Sequence, residues 1–443
     1  MLETSLLRVQ RFLYTSLLHL ALPFVCLRLL WLGLRNPAYL ERWWERFGGI
    51  SGVPFATPVI CIHAVSVGEV LSAGPLIKRL RVAFPGTRFL VTTVTPTGAE
   101  MVSTRLNPEI AHAYFPYDLP WAVRSFLARV RPCMVVVMET EIWPNFYAAC
   151  RRANIPLVMV NARISPGSFS GYTRFARLTA DALGTVTFVA AQTQIDADRF
   201  RRLGVPAAKL GVFGNLKFDI HISRSVSEQG QALRRAFSND RLIWTAASTH
   251  EGEETILLHA FKSVRRAFPQ CLLLLAPRHP ERFGHVAELC NAAGFALIRR
   301  SENRPPTSAC TVFLLDSLDE LPPYYACSDV AFVGGSLVPA GGHNLLEPAS
   351  LGVPLLTGPH TYNFTEVMSL LAQANAVYVV ADAEEIAARV MELLADANLR
   401  HAMGEGARRV FDGNHGSADR IVQLLVDLQS GAAVTPPSVG EPK

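Results

Sequence analysis

Ile62-His63-Ala64-Val65-Ser66-Val67-Gly68-Glu69 is the stretch that decides how this chain reads. The apolar residues 59–61 lead into it, and Val70, Leu71, Gly74, Ile77 and Leu80 follow at helical spacing. It therefore reads as a glycine-opened turn between a buried strand and a helix. In open α/β sheets ligands bind beyond the carboxyl ends of the strands, and the turn puts the Glu69 carboxylate there. A carboxylate that only complements the helix dipole would occupy the same position. Spacing alone leaves both readings open.

Working outward, strand-like and helix-like segments alternate from residue 55 onward. A first block of strands is expected near residues 59–61, 89–94, 113–115, 134–138, 157–160, 188–190 and 210–213, with helices such as 147–153 and 196–203 between them. A second block is expected near 242–246, 272–276, 296–298, 312–315, 330–333 and 353–356, followed by helices near 384–394 and 419–428. Such alternation predicts parallel sheets covered on both faces, hence an α/β fold of two Rossmann-like doubly wound domains with a cleft between their strand carboxyl ends. The boundaries expected are 1–50 for a membrane-associating segment, 51–218 and 219–430 for the two domains, and 431–443 for a disordered tail. The linker falls in the polar stretch 221–238. That architecture suits an enzyme that joins a nucleotide-bound donor to a second substrate, but epimerases and binding proteins use it too.

Composition agrees. A chain of 443 residues, half of them hydrophobic and 18% charged, has ample material for two cores of about 200 residues each. The formal charge of +5 is mild, and no Lys-rich or aromatic-and-basic run points to nucleic acid. The eight cysteines, at 26, 61, 133, 150, 271, 290, 310 and 327, form no CxxC pair and fall largely in apolar runs. They read as reduced, buried thiols. The twelve histidines show no HExxH spacing, and no metal site is expected.

The N-terminus stands apart. No Asp, Glu, Lys or Arg occurs from Phe12 to Leu27, and Arg8, Arg11, Arg28 and Arg35 bracket the apolar stretch. No small-residue cleavage site precedes Tyr39-Leu40-Glu41-Arg42-Trp43-Trp44, which argues against a signal peptide. A spanning helix needs roughly 20 apolar residues, and this stretch is shorter and contains Pro23. A span from a cytosolic N-terminus would also carry the following domains out of the cell. The favoured reading is an interfacial anchor, with arginines for anionic lipid and Trp31, Trp43 and Trp44 at headgroup depth.

Further motifs end other strands. Met138-Glu139-Thr140-Glu141-Ile142-Trp143-Pro144-Asn145 puts two carboxylates after a buried run, which is unfavourable unless they are used or hydrogen-bonded. Arg163, in Asn161-Ala162-Arg163, and the later Arg174 are candidate acceptor contacts, because arginine grips phosphate or carboxylate in pairs of N–H bonds, and Ser66 is a third. Lys217, in Gly214-Asn215-Leu216-Lys217-Phe218-Asp219, could neutralise a leaving group or pair with Asp219. In the second block, Ser248 and Glu251 fit a capping box whose helix start also offers N–H groups to an anion, and His250 lies between them. Arg278 ends a strand at a phosphate-binding position. Gly334-Gly335-Ser336 and Gly341-Gly342-His343-Asn344-Leu345-Leu346-Glu347-Pro348 let backbone approach a ligand closely, with Asn344 opening a helix and Glu347 placed to accept from ribose hydroxyls. Ser248, His250, Gly335 and Ser336 are the candidate donor phosphate or sugar contacts.

These residues resemble the 3-deoxy-D-manno-octulosonic acid (Kdo) transferases of lipopolysaccharide biosynthesis, membrane-associated glycosyltransferases of the GT-B type. The resemblance runs from Asn36-Pro37-Ala38-Tyr39 and Arg46-Phe47-Gly48 to the C-terminal helices. It is most specific at Ser66-Val67-Gly68-Glu69, 138–145, 248–254 and 341–348. It implies inverting, metal-free transfer of Kdo from CMP-Kdo to a lipid A precursor (lipid IVA) at the cytoplasmic face of the inner membrane, with no cofactor. Glu69 matches the family's general base, and Glu139 and Lys217 match its transition-state groups. The CMP contacts match Pro277 and Arg278, Leu318, Asp319 and Glu320, and Asn344, Leu345, Leu346 and Glu347. Leu318 and Leu345 are expected to act through backbone or packing. A sugar-nucleotide epimerase, or a non-catalytic binding protein of the same fold, is the alternative. How many Kdo units are added stays open, since mono-, bi- and multifunctional members share these motifs.

Overall fold

The computed structural model describes residues 2–50, 57–106, 109–219, 223–304 and 307–432. The expected tail lies outside them from residue 433 onward, as do linker residues 221 and 222. The chain divides into two compact units.

The first unit carries β1 (Val59–His63), β2 (Arg88–Thr93), β3 (Ala111–Tyr114), β4 (Pro132–Met138), β5 (Leu157–Ala162), β6 (Phe188–Ala191) and β7 (Leu210–Val212) in the order β3-β2-β1-β4-β5-β6-β7. Every pairing is parallel. The sequence dictates this. A run such as Met134-Val135-Val136-Val137-Met138 is buried throughout, with Val135 and Val137 packing into one layer and Met134, Val136 and Met138 into the other. The strand order reverses direction between β1 and β4, so the ends of these two strands form the switch point where ligands bind in such sheets. The turn at 64–66 and residues Glu139 to Trp143 lie there.

The second unit repeats the plan with β8 (Ile243–Thr249), β9 (Leu272–Pro277), β10 (Leu297–Arg299), β11 (Val312–Leu314), β12 (Val330–Val333), β13 (Leu355–Thr357) and β14 (Val377–Val379), ordered β10-β11-β9-β8-β12-β13-β14 and again all parallel. Its switch point lies between β8 and β12. The expected fold class is the one observed.

Three details differ from the sequence reading. The second unit is Ile220–Asn414, not 219–430, because the chain returns to the first unit at His415. There the helix Ser417–Ser430 buries Ala418, Ile421, Leu424 and Leu425 in the core layer that holds Ile60, Ile62, Val70 and Leu76. Asp219 accepts from the Gly416 and Ala418 N–H groups at 2.7 and 2.6 Å, so its carboxylate fastens the start of that helix. Strand β14 and the helix Ala397–Asn414 were not anticipated. The strand is three residues long, and the helix, interrupted by Gly404, Gly406 and Gly413, has a weak apolar period.

The N-terminal segment is one continuous helix, Leu2–Arg35, that passes through Pro23. Contrary to the expectation of a stretch too short to span, Val9–Arg35 has a mean hydropathy of 1.9 and suffices by length and composition to cross a membrane. It docks on the first unit. Tyr14 Oη donates to Asp118 at 2.9 Å, Arg11 Nη2 donates to the Pro144 carbonyl, Arg11 pairs with Asp181 at 3.7 Å, and Thr15 hydrogen-bonds Asn145.

Candidate active site

In the first unit the helix Val67–Ala83 opens directly after β1, with Ser66 as its N-cap and Glu69 in its first turn. Ser66 Oγ accepts from the Glu69 N–H at 3.2 Å and donates to Glu69 Oε1 at 3.0 Å. The Val65 N–H donates to Oε2 at 2.9 Å. The helix-end role is therefore real, and it also orients the carboxylate. Glu69 is 8% exposed. Burial, reinforced by the charge of Glu139, holds its pKa above the usual carboxylate range, against the Val65 and Ser66 hydrogen bonds that lower it.

Glu139 and Glu141 come from the end of β4, the strand beside β1. Burial, with the nearby charges of Glu69 and Glu139, pushes Glu141 up to about 7. Three carboxylates thus share one edge, and like charges at close quarters cannot all ionise readily. Glu139 has a left-handed backbone, φ 52°, and accepts from Arg163 Nε at 2.8 Å. Arg163, named as an acceptor contact, is mostly exposed. Arg174 closes the helix Pro166–Arg174 and is exposed. Lys217 sits half-buried in the turn Leu216–Phe218, which is tied to β5 because Asn161 Oδ1 accepts from the Leu216 N–H at 3.0 Å. Thr140 Oγ1 and Asn161 Nδ2 are buried hydrogen-bonding atoms without a partner among the described residues. Such atoms mark places where a network is completed by a ligand or water.

In the second unit the expected capping box does not form. Ser248 belongs to β8 with φ 55°, and the helix begins at Glu253 with Gly252 as its N-cap. Glu253 explains the difference. Its fully buried carboxylate accepts from the N–H groups of His250 (2.8 Å), Gly335 (2.7 Å), Ser336 (2.9 Å) and Leu337 (2.8 Å), which draws the loops after β8 and β12 together. Gly334 has to lack a side chain here, since a Cβ would meet the Ser248 carbonyl oxygen at 2.7 Å. Glu253 went unassigned in the sequence because Glu251, Glu253 and Glu254 follow β8 almost together, and nothing marks which of them turns inward.

On this frame His250 and His343 are stacked, and one Nε2–H donates to the other Nε2 at 2.7 Å. His279 meets His250 edge-on with 5.1 Å between ring centroids. Burial and the charges of His250, Arg278 and His279 push His343 down to about 4. Arg278 follows β9, is exposed, and acts electrostatically on both His343 and Glu347. Burial raises the Glu347 pKa, opposed by Asn344 Nδ2, which donates to it at 3.2 Å, and by Arg278. Asn344 accepts from the Leu346 N–H as the helix Leu346–Ser350 opens, so Glu347 is its second residue. Gly335, with φ 66°, lies against the His343 ring.

The remaining assigned contacts are placed as follows. The Ser336 hydroxyl is buried, donating to Val333 and accepting from the Gly358 N–H, so it belongs to the interior. Leu345 is buried as expected for packing, whereas Leu318 is half-exposed. Glu320 is held by Arg300 and Ser317 next to the left-handed Asp319, beside Pro322 and Tyr324. Pro277 ends β9 and is buried. Among the described residues, no group of three or more His, Cys, Asp or Glu could hold a metal ion.

Residues 41–220 match the family model for 3-deoxy-D-manno-octulosonic-acid transferase (kdotransferase), and residues 255–410 match glycosyl transferases group 1. The chain is 39% identical to the 3-deoxy-D-manno-octulosonic acid transferase of Haemophilus influenzae, over 94% of this chain and 98% of that one. It is 37% identical to the Bordetella pertussis enzyme of the same name, over 86% and 90%. UDP-GlcNAc 2-epimerase from Neisseria meningitidis, at 15% identity, shares the fold with a TM-score of 0.53 over 84% of this chain and all of that one. The alternative of an epimerase thus meets a shared fold but not a shared sequence. The chain belongs to the Kdo transferase family, glycosyltransferases that add Kdo in lipopolysaccharide biosynthesis.

Proposed function

We propose that the enzyme transfers Kdo from CMP-Kdo to a hydroxyl of the lipid A precursor lipid IVA with inversion, with Glu69 as general base and no metal ion or cofactor. The observation that carries this is the buried Glu69 carboxylate, oriented by two hydrogen bonds at the switch point of the first sheet. A sugar hydroxyl is a poor nucleophile at neutral pH. Glu69 removes its proton as the acceptor oxygen bonds to the anomeric carbon and the bond from that carbon to the CMP phosphate oxygen breaks. A single displacement of this kind inverts the centre. Its held-up pKa makes Glu69 a stronger base than an ordinary carboxylate.

Glu139 and Lys217 are assigned to stabilise the developing charges, and Arg163, Arg174 and Ser66 to contact the acceptor. The second unit takes the donor. Arg278 and the His250–His343 pair meet its phosphate and carboxylate, since an arriving anion favours protonation of histidines that are neutral without it. Glu347 and Asn344 accept from and orient the ribose. The leaving CMP carries a stable phosphate, so cationic side chains suffice for it. The acceptor places the reaction at the cytoplasmic face of the inner membrane.

The test is incubation of detergent-solubilised enzyme with CMP-Kdo and lipid IVA, following the mass of the lipid with and without chelator. Gain of one or more Kdo residues is expected, unaffected by chelator and lost in Glu69→Gln. CMP release without a change in the lipid would point to another acceptor, and full activity of the variant would remove Glu69 from the role.

A further inference from the structure

We infer that Asp118 is a positioning residue for the transfer: with Arg11 and Tyr14 it clamps the start of the helix Pro144–Arg152, and through that helix it sets the segment Glu139–Glu141 beside Glu69. The inference deepens the proposed function and rests on it for the roles of these carboxylates.

The helix Pro144–Arg152 begins without a cap of its own. Its N-cap is Trp143, whose side chain makes no capping hydrogen bond, since an indole is a donor and offers N–H groups no acceptor. Pro144 brings no N–H, and the Tyr147 N–H donates to the Trp143 carbonyl. The two N–H groups between them both go to one distant carboxylate. Asn145 donates to Asp118 Oδ2 at 2.9 Å and Phe146 to Oδ1 at 2.7 Å. Asn145 Nδ2 adds a bond to the Asp118 carbonyl at 2.7 Å. Asp118 is 2% exposed. A buried carboxylate thus supplies the missing cap and meets the positive end of the helix.

That helix start carries the carboxylate segment. Residues Glu139 to Trp143 alone separate it from β4. One turn in, the buried Tyr147 Oη donates to the Glu141 carbonyl at 2.5 Å, so the backbone of Glu141 is fastened to the helix. The other end is fastened to the sheet, where the Glu139 N–H donates to the Val160 carbonyl of β5 at 3.0 Å. The charges of Glu69 and Glu139 both raise Glu141, and that of Glu139 raises Glu69. Spacing within this trio therefore sets how readily each member holds a proton.

The N-terminal helix closes the clamp from outside. Arg11, Tyr14 and Thr15 fall on one helix face. Tyr14 Oη donates to Asp118 Oδ2 at 2.9 Å, Arg11 Nη2 donates to the Pro144 carbonyl, and Asn145 Nδ2 donates to Thr15 Oγ1 at 3.1 Å. Attachment to a membrane asks for none of these contacts. Asp118 accepts from three donors, which only a carboxylate can do here. An asparagine would turn an amide N–H toward one of them and leave it unpaired.

The test compares full-length wild type, Asp118→Asn and Tyr14→Phe in detergent. Hydrogen–deuterium exchange is followed over residues 139–147 and β4, and Kdo transfer from CMP-Kdo to lipid IVA is followed across pH. Exchange at Asn145 and Phe146 should quicken roughly 10-fold in Asp118→Asn and less in Tyr14→Phe, with β4 protected as in the wild type. In Asp118→Asn kcat should fall roughly 10²-fold while KM for CMP-Kdo holds; in Tyr14→Phe the fall should be a few-fold. The rise of activity with pH should also move to lower pH, because a loosened segment withdraws the negative charges that raise Glu69 and Glu141. Faster exchange with wild-type kcat and pH profile would make Asp118 a structural cap and overturn the inference. A lower kcat with an unmoved pH profile would place the damage elsewhere and overturn it too. If Asp118→Asn does not fold, Tyr14→Phe decides, since it leaves the carboxylate and its two N–H donors in place. Wild-type exchange and transfer in that variant overturn the inference. Wild-type protein that transfers no Kdo defeats the proposed function itself, whereas variants that transfer like the wild type defeat only the clamp.

Discussion

Glu69 and Glu253 occupy matching places in the two units, each in the first turn of the helix that follows the first strand of its sheet. They are used in opposite ways. Glu253 is fully buried and accepts four N–H groups, so its charge is neutralised by the backbone it organises. Glu69 accepts one N–H and one hydroxyl and has two other carboxylates nearby, which leaves its charge under-compensated and its proton affinity raised. One position in the fold thus holds an under-compensated carboxylate, the proposed base, in one unit and a clasp in the other. The number of donors around the carboxylate decides which.

The comparison breaks most directly at Glu69. Glu69→Gln keeps a hydrogen-bonding group beside Val65 and Ser66 but removes the proposed base, and kcat should fall by roughly 10²–10⁴-fold with the melting temperature nearly unchanged. Glu253→Gln should do the reverse. Turning an amide toward four N–H groups is expected to destabilise the protein by roughly 3 kcal/mol or more, seen as a lower denaturation midpoint. In the molecules that remain folded, KM for CMP-Kdo should rise more than kcat falls.

The under-compensated charge predicts a pH dependence of definite sign. Folding raises the pKa values of Glu141 and Glu69, so the folded state binds protons more tightly than the unfolded chain does. Stability contributed below about pH 4.5, the unstrained carboxylate value, is lost as pH rises toward about 7. Glu141→Gln should flatten that decline in melting temperature between pH 5 and 7.5. By removing a neighbouring negative charge it should also shift the rise of activity with pH toward lower pH. The smallest effect is expected at Arg163→Ala, which breaks an exposed ion pair worth less than about 1 kcal/mol. A larger loss of stability there would mean that Arg163 holds Glu139 in its left-handed backbone.

Most strands were legible because buried parallel strands are written as unbroken apolar runs, as at Met134–Met138 and Leu272–Leu275. The placement of Glu69, Glu139, Arg278 and Glu347 in the loops and helix starts that follow strands was legible because strand ends are where such a sheet exposes its loops. Glu253 and Asp118 were not, because their roles depend on N–H groups from residues distant in sequence. Ser248 misled because its spacing to Glu251 is right for a cap, but Ser248 lies in β8 with a left-handed backbone and the helix begins only at Glu253. The boundary at 219 was nearly right, whereas the return of the chain at His415 could not be read, since the apolar face of Ser417–Ser430 does not reveal which core it joins.

That return has a consequence for biosynthesis. Residues 415–432 come late from the ribosome, yet they supply Ile421, Leu424 and Leu425 to the layer behind the Glu69 helix, and Arg79 of that helix pairs with Asp419 at 2.6 Å. A nascent chain that has already made both sheets still lacks the support on which the Glu69 helix rests. The unit translated first is completed last, so the Glu69 carboxylate is held firmly only once the second unit has been made.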